Sequence, residues 1–203
     1  AALQTNEFAY APLLPSLNFA PAPLGSRIKK TDSQGVAQFI LDNTGNVLAE
    51  LDARKAVKRQ YLHTLKMDEP LSMTDEHNHT YYYLPDGLGS VSMLTDTLGD
   101  PVQNYNYDPY GKSNVTARDK NQFKFTSREY DPDTQLQYNR ARYYAPDLGR
   151  WITPDPLKNF KTAEYYSQDN LKVPMSLNSC AYGRCNPTNY TDPLGLVIIG
   201  FTG

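Results

Sequence analysis

The sequence is poor in the residues that cross-link small proteins or bind metals. It contains two cysteines and three histidines in 203 residues. Cys180 and Cys185 lie five positions apart, which is compatible with free thiols or, in an oxidising compartment, with a disulfide. A structural zinc site needs about four ligands, and no second Cys/His cluster is present. His77 and His79 would share one face of a strand and are interpreted as an exposed turn edge. We expect no metal and no cofactor.

Long apolar runs and an excess of positive charge are also lacking. No run of about 18 apolar residues occurs, so no membrane-spanning helix is predicted. Residues 1–25 lack the basic start and continuous apolar block of a signal peptide. The net charge is −2 and the basic residues are scattered, which argues against a nucleic-acid-binding surface.

Tyrosine, proline and glycine are abundant instead. The chain has 16 Tyr, against 7 Phe and 1 Trp, together with 15 Pro and 12 Gly. Tyrosine suits half-exposed strands, because its ring packs while its hydroxyl reaches water or a polar partner. Frequent proline and glycine between such strands indicate many turns. The composition predicts an all-β chain of short antiparallel hairpins.

The pattern Asp-x-x-Gly punctuates the sequence from residue 32 onward. Aspartate at the first turn position accepts hydrogen bonds from backbone N–H groups ahead of it, and glycine at the fourth adopts positive φ. Short β-prone runs such as 37–41 and 47–51 lie between successive turns. Turns about ten residues apart are typical of a β-meander. The pattern begins at Asp32, Asp42, Asp86, Asp96, Asp108 and Asp192.

The turns also form an internal repeat. The pair Asp32 and Asp42 recurs 54 residues later as Asp86 and Asp96. Each pair is flanked by strand-like runs, and such a unit can bury its apolar face only by stacking against its neighbours. Two copies are what a piece of a longer repeat array would contain.

Several ordered motifs identify a family resemblance. Three tyrosines precede an Asp-Gly-Leu-Gly turn at 86–89, followed by Leu-Thr-Asp at 94–96 and Tyr-Asn-Tyr-Asp-Pro-Tyr-Gly at 105–111. The longest motif is Leu-Gln-Tyr-Asn-Arg-Ala-Arg-Tyr-Tyr-Ala-Pro-Asp-Leu-Gly-Arg-Trp at 136–151, and Asp-Pro-Leu-Gly-Leu closes the series at 192–196. The chain resembles the Rhs/YD-repeat family over about 80–196, and in particular its Rhs-associated core.

The resemblance implies a fold and a domain order. Repeats of this family form a β-sheet that spirals into a hollow shell, and the associated core closes one end of it. We therefore expect antiparallel β-hairpin repeats ending in an irregular C-terminal core. The expected order is a proline-rich arm or linker at 1–25, YD-type hairpins at 26–112, the core at 113–196 and a residual tail at 197–203.

The resemblance also implies an activity. In bacterial members the core is an aspartic autoprotease that cuts after the closing Asp-Pro-x-Gly-Leu and leaves a C-terminal toxin inside the shell. Carried over here, Asp155 and Asp192 are the catalytic carboxylates, and Leu196–Val197 is the cleavage site. Arg150 either balances the charge of this site or forms a salt bridge at a strand end.

Carboxylate chemistry agrees with this assignment, and the sequence also departs from the family pattern. Two adjacent carboxylates share a proton, so one can activate water while the other polarises a carbonyl. However, Asp155 and Asp192 lie 37 positions apart, farther than in the family, and the first Asp-Pro lacks the following glycine. Residues 158–174 are interpreted as an insertion, compatible with a harmless surface loop or with lost activity. Asp169 within it is a substitute candidate.

Two functions follow for the whole protein. In the first, the chain belongs to a secreted or cell-surface bacterial protein whose partners are the rest of the Rhs shell and a C-terminal toxin or effector. In the second, it is a non-catalytic structural or surface-binding piece whose tyrosine-rich faces contact a cell surface or carbohydrate. Cleavage after Leu196 distinguishes the two.

Overall fold

A computed structural model describes residues 7–10, 26–113, 119, 121–156, 178–196 and 199–200. Each strand pair in these ranges is antiparallel, which confirms the all-β antiparallel prediction. The strands are β1 Glu7–Tyr10, β2 Arg27–Asp32, β3 Gly35–Leu41, β4 Val47–Leu51, β5 Val57–His63, β6 Pro70–Asp75, β7 Thr80–Pro85, β8 Val91–Thr95, β9 Pro101–Asn104, β10 Glu129–Asp131, β11 Leu136–Asn139, β12 Arg142–Ala145, β13 Arg150–Trp151, β14 Tyr190–Thr191 and β15 Ile199–Gly200.

The chain divides into two compact units. The first comprises residues 1–85 and 91–104, and the second comprises 86–90 and 105–203. Strands β1 to β9 form one sheet of the first unit in simple sequence order, which is a meander. The expected arm at 1–25 contributes β1, paired with β2, and its other residues lie outside the described part of the chain.

Alternation along the strands of the first unit separates a buried face from an exposed face. Tyr61 is buried in β5 and its neighbour Leu62 is exposed. Likewise, Tyr83 is buried in β7, whereas Tyr82 and Leu84 on either side of it are exposed. This period of two is the one that a pleated strand imposes, because successive side chains point to opposite faces.

A common turn closes most of the hairpins. In the turn that starts at Asp96, the carboxylate Oδ1 accepts the N–H groups of Leu98 and Asp100 at 2.8 and 3.0 Å. The Gly99 N–H donates to the Asp96 carbonyl at 3.1 Å, with φ of +88° at the glycine. The same bonds recur in the predicted turns at Asp42, Asp86 and Asp108.

Two turns of this kind lack the glycine and escaped the sequence pattern. Asp52 and Asp75 make the same bonds to the second and fourth residues ahead. Lys55 and Asn78 stand in the place of glycine and adopt φ of +66° and +63°. Asp32 differs, because it pairs directly with Gly35 across a shorter turn.

The second unit is organised around four buried aromatic rings. Strands β10 to β13 form one antiparallel sheet, and β14 pairs with β15. The rings of Tyr144 and Tyr182 lie 4.2 Å apart between centroids, and Trp151 meets Tyr144 edge-on at 5.5 Å. Phe125 completes the cluster. Cys180 packs against it, and Cys180 and Cys185 are both free thiols.

A buried polar network supports the start of the second unit. The Lys124 ammonium pairs with Asp119 and lies 4.4 Å from the centroid of the Tyr105 ring. The Tyr105 hydroxyl donates to Asp119 at 2.9 Å, and Asn121 donates to the same hydroxyl at 3.3 Å. Burial lowers the pKa of Lys124 to about 8, although the neighbouring Asp119 opposes the shift.

This pKa predicts a rise in stability with pH. Between pH 8 and the ordinary lysine pKa of 10.5, Lys124 binds more protons in the unfolded chain than in the folded chain. The free energy of unfolding therefore rises with pH in this range. The largest slope is about 1.4 kcal/mol per pH unit. We expect urea midpoints, followed by Trp151 fluorescence, to rise from pH 8 to 9.5 in the parent and not in Lys124→Met. Titration of the tyrosines contributes to both chains and therefore cancels when they are compared. Equal dependence of the urea midpoint on pH in the parent and in Lys124→Met would contradict the prediction.

Candidate functional site

The buried guanidinium of Arg142 joins the two predicted catalytic carboxylates. Its Nη2 lies 2.9 Å from Oδ2 of Asp192 and 3.6 Å from Oδ2 of Asp155. The sum of the two distances, 6.5 Å, is an upper limit on the separation of these carboxylate oxygens. The fold therefore brings together two aspartates that stand 37 positions apart in the sequence.

Strand pairing and aromatic packing hold Arg142 in place. Arg142 begins β12, which pairs with β13 so that Tyr144 lies opposite Trp151. The guanidinium carbon lies 4.0 Å from the centroid of the Trp151 ring, a cation–π contact on the edge of the aromatic cluster. Nη1 donates to the Ser179 carbonyl at 3.2 Å, and the Asp155 N–H donates to the same carbonyl at 3.2 Å. One carbonyl thus links the arginine to the first aspartate.

Asp192 opens a turn that resembles the hairpin turns of the repeats. Its Oδ1 accepts the Leu196 N–H at 2.9 Å, and the Gly195 N–H donates to its carbonyl at 3.3 Å. Unlike Asp108, which starts the same Asp-Pro-x-Gly pattern on the surface, Asp192 is 1% exposed. Both carboxylate oxygens of Asp192 accept hydrogen bonds, one from Arg142 and one from Leu196.

The local charge balance is one cation against two carboxyl groups. Burial lowers the pKa of Arg142, and the nearby charges of Asp155 and Asp192 oppose that shift. Arginine keeps its proton in proteins, so the guanidinium stays charged. The contacts therefore bring two carboxyl groups to one buried cation, an arrangement in which a carboxyl pair can carry out acid–base chemistry.

The turn between β11 and β12 contacts four successive carbonyls of the closing segment. Asn139 Nδ2 donates to the Asp192 carbonyl and Arg140 Nη1 to the Pro193 carbonyl, each at 2.9 Å. The Ala141 N–H donates to the Leu194 carbonyl at 3.1 Å. Arg142 Nε donates to the Gly195 carbonyl. Each residue of 192–195 therefore has its carbonyl hydrogen-bonded to a different residue of this turn.

Gly195 is required at its position by space as well as by conformation. Its φ is +69°, and an added Cβ would lie 2.6 Å from the Asn139 carbonyl oxygen and 2.9 Å from the Arg142 nitrogen. Both atoms belong to the backbone and cannot rotate away. By contrast, Gly99 in a repeat turn has similar φ and nothing within 4 Å of an added Cβ.

Of the other predicted site residues, Leu196 donates its N–H to Asp192, Arg150 lies on the surface, and the rest fall outside the described residues. Arg150 is exposed in β13 and forms an isolated bridge with Ala181. Leu196 is half-buried at the end of the described segment. Val197 and Asp169 fall outside the described residues. His79 Nδ1 lies 3.4 Å from Asp75 Oδ2 on an exposed hairpin tip.

Sequence reasoning missed Arg142, Asn139 and Arg140, although all three lie in the motif that carries the family resemblance. The sequence offered no alternation that would have found them, because Gln137, Tyr138 and Asn139 are all buried in β11, and the burial of their polar groups is visible only in the structure. Within the ranges described, no group of three candidate metal ligands occurs, and no helix is long and apolar enough to cross a membrane.

The fold and the site together define a class of protein: a β-meander of aspartate turns followed by a compact aromatic core with a buried Asp–Arg–Asp cluster. The sequence model of the Teneurin YD-shell family matches residues 25–187, and the chain belongs to this Rhs/YD-repeat family. This confirms the resemblance derived from the sequence motifs.

Relatives of the chain include proteins named as a nuclease and as a toxin. It is 32% identical over 176 residues to the tRNA3(Ser)-specific nuclease WapA of Bacillus spizizenii, covering 84% of this chain and 7% of that protein. It is 27% identical over 139 residues to the toxin protein Tse5 of Pseudomonas aeruginosa, covering 68% and 8%. The chain thus spans less than a tenth of the length of each relative, and it is a YD-shell protein related to toxins.

A solved structure shares the fold. The crystal structure of TcdB2-TccC3-TEV aligns with a TM-score of 0.63 at 20% identity, covering 94% of this chain and 9% of that one. At this identity, the similarity establishes the arrangement of strands and no residue role.

Proposed function

We propose that this chain is the closing core of an Rhs-type shell and that it cuts itself between Leu196 and Val197. The observation that carries the proposal is the contact of one buried guanidinium, that of Arg142, with both Asp155 and Asp192. Buried carboxylates sharing one cation are costly to a fold, which favours a chemical role over a structural one.

The contacts suggest separate roles for the two carboxylates. Asp192 accepts a hydrogen bond at each oxygen, which suits the ionised partner that draws a proton from water. Asp155 lies farther from the guanidinium and is the partner that would polarise the scissile carbonyl. Because the substrate is part of the same chain, its effective concentration is very high and a modest site suffices.

The proposed partners follow from the relatives. WapA and Tse5 are named as a nuclease and a toxin, and each extends far beyond the aligned part. We propose that residues 26–112 continue the shell and 113–196 form its core. The chain that follows Leu196 in the complete protein would be a toxin or effector released from covalent attachment by the cut. Such a protein would be secreted or presented at a bacterial cell surface.

A second candidate function rests on the exposed face of the first unit. Leu62, Tyr82 and Leu84 are 60%, 46% and 42% exposed on strands whose other face is buried. Exposed aromatic and apolar side chains on a sheet favour contact with another surface. In this alternative the chain binds a cell surface or carbohydrate and the aspartate pair is inactive.

Cleavage is tested by intact mass. The chain is expressed with a folded tag after Gly203, beside an Asp155→Asn variant and an Asp147→Asn control at an exposed carboxylate. We expect the parent and the control to yield two products that meet between Leu196 and Val197, and the Asp155→Asn chain to stay whole. A folded parent that stays whole would leave the surface-binding function as the better explanation.

A further inference from the structure

The proposed cut lies in the loop of a short hairpin whose upstream side is held by four further hydrogen bonds. Strands β14 and β15 flank the loop, and their ladder consists of two residue pairs, Tyr190 with Gly200 and Thr191 with Ile199. The upstream side of the loop is held in addition by the turn at 139–142, through the four carbonyls of 192–195. That turn is called the backbone clamp below.

The clamp matches the closing segment residue for residue. Each of four successive positions, from Asn139 to Arg142, supplies one donor to each of four successive carbonyls, from Asp192 to Gly195. The donors come from two kinds of group, side chains at three positions and a backbone N–H at Ala141. Because carbonyls are common to all residues, this contact fixes the register of the segment rather than the identity of its side chains.

Further contacts make the clamp rigid before any reaction. Asn139 Oδ1 accepts a bond from Gln137 Nε2 at 3.0 Å, which sets the orientation of its amide toward Asp192. Gln137 and Asn139 are fully buried. A site whose groups are fixed in advance loses little entropy when it holds a reacting segment, so it can position that segment accurately.

We infer that the backbone clamp positions the bond to be cut and keeps the upstream end docked after the cut. The inference rests on the proposed self-cleavage. Asn139 and Arg140 are positioning residues, because each donates a hydrogen bond to a backbone carbonyl of the closing segment. After cleavage, the new end at Leu196 retains the four clamp contacts in addition to the ladder between β14 and β15. The cut therefore breaks the covalent link to the downstream chain while the closing segment stays docked on the core.

The experiment uses the full tagged chain and three variants. Arg140→Ala removes the donor to the Pro193 carbonyl, Arg140→Lys restores a cationic donor, and Arg184→Ala is the control at an exposed arginine outside the clamp. Two quantities are measured: the rate of cleavage, and the hydrogen exchange of the Ala141 amide, which donates to Leu194. Exchange is followed in the intact chain and in the cut product.

We expect Arg140→Ala to slow cleavage at least about tenfold, because a charge-assisted bond to the segment is lost. Arg140→Lys should recover most of the rate, and Arg184→Ala should cut like the parent. The Ala141 amide should stay protected in the parent product and exchange at least about tenfold faster in Arg140→Ala. A rescue by lysine distinguishes positioning from a general loss of packing.

The clamp and the proposed cleavage fail in different ways. If Arg140→Ala cuts at the parental rate, or if the Ala141 amide loses its protection once the parent chain is cut, the clamp inference is wrong and self-cleavage stands. If the parent is never cut, the proposed cleavage is wrong, and with it the retention of a new end. Hydrogen exchange of the Ala141 amide, compared between the intact parent and the intact Arg140→Ala chain, then still tests the clamp. Equal exchange in the two chains would mean that the clamp does not hold the segment.

Discussion

An Asp192→Asn chain is expected to remain uncut, with the cleavage rate reduced at least about a hundredfold, the usual contribution of a positioned acid or base. Asparagine has nearly the same shape, and its amide oxygen can still accept the Leu196 N–H. Its amide nitrogen, however, cannot accept a proton from water and would face the donor Nη2 of Arg142. The fold should lose about 1–3 kcal/mol of stability, the cost of an unsatisfied buried polar group.

The chain offers a matched control for this substitution. Asp108 begins Asp-Pro-Tyr-Gly, the same turn pattern as Asp-Pro-Leu-Gly at 192, and accepts the Lys112 N–H at 2.9 Å as Asp192 accepts the Leu196 N–H. Asp108 is exposed, so Asp108→Asn should leave the cleavage rate unchanged. Intact mass over time measures both rates. Equal slowing of cleavage in the two variants would contradict a catalytic role for the Asp192 carboxylate.

The largest loss of stability is expected from Arg142→Gln. This substitution leaves two carboxyl groups without their shared cation and removes the donor to the Gly195 carbonyl, while the Ser179 carbonyl keeps the Asp155 N–H as its donor. Removing one partner of a buried ion pair costs about 3–5 kcal/mol. We expect a loss of that size, and no detectable cleavage. The single tryptophan, Trp151, lies 4.0 Å from this guanidinium, so its fluorescence reports unfolding of the core directly.

Two further variants test the cause of that loss. Adding Asp155→Asn to Arg142→Gln leaves one buried carboxyl group instead of two without a cation, and should recover more than about 1 kcal/mol if the uncompensated carboxyl pair is the cause. Arg150→Gln alters an exposed arginine that begins β13 and should change stability by less than about 0.5 kcal/mol. A similar loss in Arg150→Gln, or no recovery in the double variant, would contradict the role given to the Arg142 cluster.

The sequence by itself determined the local structure of this protein. Asp-x-x-Gly marks turns because an aspartate oxygen and a positive φ are both local requirements, and Asp42, Asp86, Asp96 and Asp108 all close hairpins as predicted. Alternation of buried and exposed residues, as at Tyr82 and Tyr83, follows from the pleat of a single strand. The family motifs are likewise local and follow one another along the chain, so the sequence alone identified the family resemblance.

Only the tertiary structure decided which charged residues meet. Asp108 and Asp192 are equivalent as sequence, and they differ because one turn is exposed while the other is buried against β11 and β12. The sequence left Arg150 as either a charge partner of the aspartates or a salt bridge at a strand end, whereas the structure places Arg142 between the two aspartates, since strand pairing turns Arg142 inward. The partners in this site lie 13 to 53 positions apart in the sequence, and no local pattern encodes such contacts.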